Sequence, residues 1–393
     1  MSPPPAPRPW ARLFVHAQPL QVLELRHHIP DAAQVGSTGA AVRAGSMQLH
    51  PARLEDLQAE PGSRAGIWFR FFNSCNLRCQ YCNEPAKPAN PIHIPRALDT
   101  LGQLARQGFE RITLSGGEPT LVPGLAEFIA ALRERGFKWI SLATNGYRLA
   151  EAGGEQGWKR GWEKALAGLD EIYLSLHGLD AASGAAITGQ ADYWARMETL
   201  LAALRPHAQR LHLGLNHPIT THTAALLERL PALVAASGAR SLQLSLMEQY
   251  EDEDSGPAAA RAAALIPALP SFSPALPGLH QALQAQGCAL TLEGIPPCHL
   301  AGVESCYLDY RRARSHMLRV IYDNGGEADQ IQFSRGSSRE VGKVYASACG
   351  ECAYRSHCCG IYHSYLKRHG EADLRPVSPT EAAARIHARR RTG

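Results

Sequence analysis

The 393-residue chain contains no apolar run of the ~18 residues that a membrane-spanning helix needs, and no charged segment followed by a short apolar stretch opens it. Those absences point away from a membrane and from secretion, towards a reducing, cytoplasmic setting. Excess charge is scarce as well. A formal net charge of +4 gives no case for nucleic acid, and the one basic cluster, Arg389–Arg391, stands at the C-terminal end, where a solvated tail is expected. Cysteine is missing from the 205 residues between Cys82 and Cys288, although the chain has ten. A disulfide framework would spread its thiols more evenly. Two tight groups in a reducing compartment read as metal ligands.

What is present begins with Cys75-Asn76-Leu77-Arg78-Cys79-Gln80-Tyr81-Cys82, which follows the apolar, strand-like run Ile67–Phe72. Three thiols within eight residues, just past a strand end, form a soft-sulfur loop suited to an iron–sulfur cluster or zinc. Three ligands also leave one metal position open, which is the mark of a catalytic rather than a structural site. The alternative is a zinc knuckle or three unrelated core thiols.

Further apolar runs at Arg111–Leu114, Trp139–Ala143, Ile172–Leu176, Leu211–Leu215 and Leu242–Leu246 alternate with helical faces. Leu125, Phe128, Ile129 and Leu132 form one such face, with Gly136 as its cap. Tyr193, Met197, Leu200, Leu201 and Leu204 form another, and Leu226, Leu227, Leu230, Leu233 and Val234 a third. Pro95 opens the first helix at a position where proline is tolerated. Six strands alternating with helices predict βαβ units and a parallel α/β sheet with the site at the strands' C-terminal ends. Periodicity does not separate an open sheet from a barrel.

The run C-N-L-R-C-Q-Y-C resembles the signature loop of the radical S-adenosylmethionine (radical SAM) enzymes. A second mark is Ile112-Thr113-Leu114-Ser115-Gly116-Gly117-Glu118-Pro119, one βα unit later, which is similar to that family's G-G-E segment. The glycines let backbone approach a ligand, and an acid beside them suits a charged amine. The resemblance covers roughly residues 66–365. It implies a partial (β/α)6 TIM-like barrel, and a 4Fe–4S cluster on Cys75, Cys79 and Cys82 with S-adenosylmethionine on the fourth iron. It also implies cofactor contacts from Tyr81, Gly116, Gly117 and Glu118, from Asn145 in Thr144-Asn145-Gly146, and from Ser175. Reductive cleavage of the sulfonium would yield methionine and a 5′-deoxyadenosyl radical that abstracts a substrate hydrogen. An electron donor of the flavodoxin or ferredoxin kind is implied. His177, Asn216, His217, Glu248 and Gln249 stand at strand ends as shell residues, and no catalytic side chain is assigned.

The second cysteine group, Cys349-x2-Cys352-x5-Cys358-Cys359, with Cys288, Cys298 and Cys306 upstream, resembles the C-terminal auxiliary-cluster regions (SPASM or twitch) of radical SAM maturases. Relatives carry C-x2-C-x5-C-x3-C, whereas Tyr362 occupies the last position here. That departure favours one auxiliary iron–sulfur cluster over two, on Cys298, Cys349, Cys352 and Cys358, with Cys306 and Cys359 as substitutes and zinc as the alternative metal. Cys288 reads as a small core residue.

The expected organisation is an N-terminal accessory segment over 1–64, a core barrel over 65–250, a helical linker region over 251–287, an auxiliary cluster domain over 288–370 and a tail over 371–393. The leading functional expectation is a maturase acting on a peptide or protein side chain. A small-molecule enzyme of cofactor or natural-product biosynthesis is the second, although the chain ends Arg391-Thr392-Gly393 and not in the Gly-Gly of the molybdenum-cofactor cyclase branch. A non-catalytic iron–sulfur or zinc protein is the third.

Overall fold

Short strands with alternating character meet helices with one apolar stripe, and the fold is what buries both at once. The computed structural model describes residues 20–35, 47–59, 66–71, 74–82, 94–152, 162–247, 257–309, 316–321, 329–335 and 342–392. Glu248, Gln249, the acidic loop at 251–256 and the proline-rich 3–9 lie outside them. So does Phe72.

The six expected strands are all present: β3 (Gly66–Arg70), β4 (Arg111–Ser115), β5 (Trp139–Thr144), β6 (Glu171–Ser175), β7 (His212–Ile219) and β8 (Ser241–Leu246). Each pairs in parallel with the next. A seventh, β9 (Ala289–Glu293), pairs in parallel with β8 and continues the run past the expected core boundary. At the other edge, β10 (His316–Ile321) is parallel to β3 and antiparallel to β11 (Asp329–Arg335). Beyond β11 lie β1 (Leu20–His27), parallel to it, and β2 (Met47–Pro51). Among the described residues the sheet has eleven strands, in the order β2-β1-β11-β10-β3-β4-β5-β6-β7-β8-β9. The α/β partial-barrel expectation is thereby met, with more strands than six.

Helices α1 (Ile94–Arg106), α2 (Leu125–Glu134), α3 (Tyr147–Ala152), α4 (Trp162–Gly168), α5 (Ala181–Thr188) and α6 (Tyr193–Leu204) connect the strands. The face of α2 is buried as its spacing predicts, and Phe128 packs against Phe69 and Phe71 with ring centroids 5.6 and 4.9 Å apart. Each such ring contributes roughly 1.5–3 kcal/mol by leaving water. The third expected helical face is broken in two. Ala224–Arg229 is 3-10, and α7 (Leu230–Ser237) begins only with Pro231 in its first turn, because a proline without an N–H cannot sit deeper in a helix.

The parallel strands are pleated so that one face packs on the helices and the other turns inward. Ile67, Phe69, Ile112, Leu114, Ile172 and Leu174 are buried, while their neighbours along β3, β4 and β6 are half-buried. The inward face carries polar side chains in register: Ser175 on β6 lies beside Asn216 on β7, which lies beside Gln243 on β8. No helix among the described residues is long and apolar enough to cross a membrane.

Candidate active site and auxiliary thiol site

Strand β3 delivers the first cysteine loop to the C-terminal edge of the sheet. Phe71 N–H donates to the Ser115 carbonyl and Glu118 N–H to that of Ser74, at 3.1 and 2.8 Å, so the loop is laced to the G-G-E segment. From the other side, Gln80 reaches α5 through its backbone N–H to Ile187 O (3.0 Å) and its amide to Ala186 O (2.6 Å). Cys82 N–H closes a turn on the Cys79 carbonyl at 2.9 Å.

The sulfurs share one neighbourhood. Burial raises the Cys75 thiol, which also feels the charges of Glu118 and Cys82. Burial pushes Cys79 well up, and Cys82 and Cys75 reinforce the shift. Three thiolates cannot coexist there unless a cation offsets them, so the donor set fits a cluster that binds through thiolate sulfur. Cys75 Sγ accepts from Leu77 N–H and from the Asn145 amide, both at 3.4 Å. Cys82 is exposed.

Asn145 is the hub of this arrangement. Its amide also donates to Asn76 Oδ1 (2.9 Å), its Oδ1 accepts from Tyr147 N–H (3.0 Å), and its own N–H donates to Glu118 (2.8 Å). Gly146 follows because nothing larger fits. Its φ is +72°, and a Cβ there would stand 2.5 Å from Leu174 Cδ1. The Glu118 carboxylate is fully buried and accepts from Thr120 N–H, Thr144 Oγ1 and Asn145 N–H. Sequence reasoning had this side chain meeting an amine, yet its described contacts tie the end of β4 to the end of β5. Gly116 has a φ of +134°, a conformation that glycine alone adopts freely.

Tyr81 is oriented by β6. Its hydroxyl is 2.5 Å from His177 Nδ1, while Tyr193 Oη donates to the Ser175 carbonyl (3.1 Å) and accepts from His177 N–H (2.9 Å). Burial raises the Tyr81 hydroxyl well above its usual range and lowers His177 to about 4, so the two meet as neutral groups sharing one hydrogen bond. Ser175 is half-buried at the end of β6, on the inward face. Of the neighbours Asn216 and His217 only the first turns inward, because successive strand residues alternate. His217 is fully buried on the other face, with Nδ1 on the Leu176 carbonyl at 2.8 Å and Nε2 without a partner.

His217 has a titration consequence. Burial lowers it to about 4 against an ordinary value of 6.5. The unfolded chain therefore takes up a proton in that window that the native state refuses, and stability falls as pH drops from 6.5 to 4, by up to about 3 kcal/mol. In anaerobic urea melts, His217→Gln is expected to flatten this pH dependence relative to wild type. An unchanged slope would show that His217 titrates normally.

Sequence reasoning missed the inward-facing cluster on β8 and β9. The Gln243 amide and Ser245 Oγ donate to Glu293 Oε2 at 2.5 and 2.9 Å, and Ser245 lies 3.5 Å from Asn216 Oδ1. Glu293 is fully buried. The available signal was the period-two polarity of Gln243, Ser245 and Glu293. Behind them Lys343 and Asp309 form a buried ion pair at 2.8 Å. Burial alone would lower Lys343, and the charge and hydrogen bond of Asp309, together with the charges of Cys359 and Glu293, more than reverse it.

The second thiol group is carried by β12 (Lys343–Val344), β13 (Ile361–Tyr362) and the 3-10 turns between them. Cys298, Cys349, Cys352 and Cys358 line one cavity together with Tyr345 and Arg355. Burial lifts Cys298 to about 11, and it feels Cys352 and Cys349. Burial also raises Cys358, whose charged neighbours include Cys298, Cys359 and Cys349. Cys306 and Cys359 are buried and do not line that cavity. Cys288 lies in the hydrophobic core. Among the described residues no three His, Cys, Asp or Glu side chains are grouped as ligands of a single metal ion.

Residues 69–215, which contain the cysteine loop, Gly116–Glu118, Asn145 and Ser175, match the family model described as the Radical SAM superfamily. GTP 3′,8-cyclase of Pectobacterium atrosepticum is 35% identical over 136 residues, which is 33% of this chain and 39% of that one. PqqA peptide cyclase of Xanthomonas campestris pv. campestris is 29% identical over 236 residues, 58% of this chain and 57% of its own length. The crystal structure of Streptococcus suis SuiB aligns with a TM-score of 0.46 at 16% identity, covering 66% of this chain and 58% of that one. The chain thus spans 39% and 57% of the lengths of these two curated relatives.

Proposed function

We propose that this chain, whose residues 69–215 are a radical SAM domain, is an enzyme that cleaves S-adenosylmethionine reductively and directs the resulting hydrogen abstraction at a peptide or protein side chain. A 4Fe–4S cluster held by Cys75, Cys79 and Cys82, with S-adenosylmethionine on its open iron, would supply the one-electron cleavage to methionine and a 5′-deoxyadenosyl radical. The remaining work falls to the chain itself. Asn145 aligns Cys75 and, through Glu118, fixes the strand ends on which the loop rests. His177 holds Tyr81 in one orientation beside that loop. The inward face from Ser175 to Glu293 would offer hydrogen-bonding groups to a polar substrate. The observation that carries the reading is the convergence of three thiols, with Cys75 and Cys79 raised by burial and Cys75 bonded to Asn145, at the C-terminal edge of this polar-faced sheet.

The peptide class is favoured by the extent of the match to a relative named as a peptide cyclase, which reaches further along the chain than the match to a relative named as a GTP cyclase. The four thiols Cys298, Cys349, Cys352 and Cys358 would hold a second iron–sulfur cluster beyond the core. A flavodoxin- or ferredoxin-like protein would supply electrons.

Two measurements test this. Reconstituted chain with S-adenosylmethionine and dithionite is expected to release 5′-deoxyadenosine, and none formed with iron fully loaded would overturn the enzyme reading. In a Cys75→Ala/Cys79→Ala/Cys82→Ala chain, residual iron and sulfide of about four atoms each are expected. Zinc in their place would overturn the auxiliary cluster.

A further inference from the structure

The N-terminal segment does more than extend the sheet. After β1 the chain crosses to the second cysteine group and lies along it. Tyr345 N–H donates to the Pro30 carbonyl at 2.9 Å, and Ala32 N–H donates to the Tyr345 carbonyl at 2.8 Å, a one-rung bridge at Asp31. Asp31 Oδ1 is 2.7 Å from Arg355 Nη2. The Arg355 guanidinium in turn lies 4.2 Å from the centre of the Tyr345 ring. Tyr345 Oη donates to the Cys358 carbonyl at 2.7 Å. Gly360 is pinned from the same side: with φ of +68°, any Cβ would sit 2.5 Å from the Val344 carbonyl oxygen and 3.1 Å from Ile29 Cγ2. Residues 29–32 therefore touch Tyr345, Arg355 and Gly360, all three of which line the cavity that holds the four thiols.

We propose that Arg355, held in place by Asp31, tunes the reduction potential of the centre bound by Cys298, Cys349, Cys352 and Cys358, and that residues 29–32 are the strap that sets this charge. The inference rests on the auxiliary-cluster reading above. Four thiolates concentrate negative charge, and reduction adds one more unit. A fixed cation close by favours the reduced form, and net charge and exposure are among the levers that set cluster potentials. Arginine keeps its charge at any pH a protein experiences. Arg355 lines the same cavity as the four thiols, so its charge faces the centre they would bind. Asp31 opposes it. A carboxylate bound to the guanidinium cancels part of the field that the sulfurs feel, so the pair acts as a set point with two handles of opposite sign.

That opposition separates tuning from simple support. Arg355→Gln is expected to make the auxiliary potential more negative, Asp31→Asn less negative, and Arg355→Lys close to wild type. The measurement is a mediator titration with dithionite, followed by electron paramagnetic resonance, on the full chain carrying Cys75→Ala/Cys79→Ala/Cys82→Ala. If that chain does not fold, the same titration on the intact two-cluster protein follows the second signal. Opposite shifts with iron retained support the proposal. Shifts of one sign, or none, with iron retained overturn it and leave the cluster assignment standing. Absence of auxiliary iron before either substitution is made overturns the cluster assignment, and the tuning role with it.

Discussion

A Cys79→Ala chain is expected to release no 5′-deoxyadenosine and to carry about four fewer iron atoms than wild type. Burial is the main reason its thiol titrates so high, with the sulfurs of Cys82 and Cys75 adding to the shift. A thiolate in that position is costly without metal, so Cys79 is where the metal gains most from the site and the site from the metal. The substitution is also clean. The turn around it is built by the Cys79 carbonyl and Cys82 N–H, which alanine leaves intact, and Gln80 keeps its two bonds to the 186–187 carbonyls. Loss of function would therefore report a lost sulfur and not a lost loop. Iron analysis beside product quantification checks this, and turnover at the wild-type rate would remove Cys79 from the ligand set.

The second large effect is structural in origin and catalytic in consequence. Glu118→Ala is expected to lower stability by about 4 kcal/mol, because three donors in a fully buried place lose their acceptor at once. Asn145 is one of them, so Cys75 loses its alignment too. Glu118→Gln refills the space and should recover much of the stability. It also removes a titration. Burial raises the Glu118 carboxyl even against its hydrogen bonds. The native state then keeps a proton that the unfolded chain releases above 4.5, and wild-type stability falls relative to the Gln variant as pH climbs through the raised value. Paired circular-dichroism melts of the two variants and wild type read both effects. A Glu118→Ala chain as stable as wild type would mean that the carboxylate is not the acceptor joining β4 to β5.

Much of this architecture was open to inspection in the sequence because its signals are local. Gly136 past α2, Pro95 inside α1 and the apolar faces of α2 and α6 each depend on neighbours within a turn or two. The first cysteine loop is equally local. The second thiol group was partly legible: Cys349, Cys352 and Cys358 lie close together, whereas Cys298 joins them only through the fold. What escaped were features that depend on which side of a strand faces in. Five-residue strands carry the alternation but no label for the face. Asn216 and His217 were therefore weighed alike, although one turns inward and the other is enclosed on the helix side. The Glu293 cluster needs β8 and β9 side by side, and no sequence neighbour of Glu293 announces that pairing. The strap at residues 29–32 was invisible for a similar reason, since its partners stand more than three hundred residues away in the chain.

The place of β1 in the sheet imposes an order in time. One of its edges pairs with β2, close by in the chain, but the other faces β11, Leu20 opposite Asp329 and Leu25 opposite Ser334, so that edge stays open until β11 has been made. At roughly 5–20 residues per second, that wait lasts on the order of 15–60 s. The segments from β3 to β8 pair each with the next and can condense as they emerge, taking the loop at Cys75–Cys82 with them, although the outer edge of β3 waits for β10. The Cys75–Cys82 loop is thus expected to be framed before the cavity of Cys298, Cys349, Cys352 and Cys358, which closes only when residues 29–32 find Tyr345.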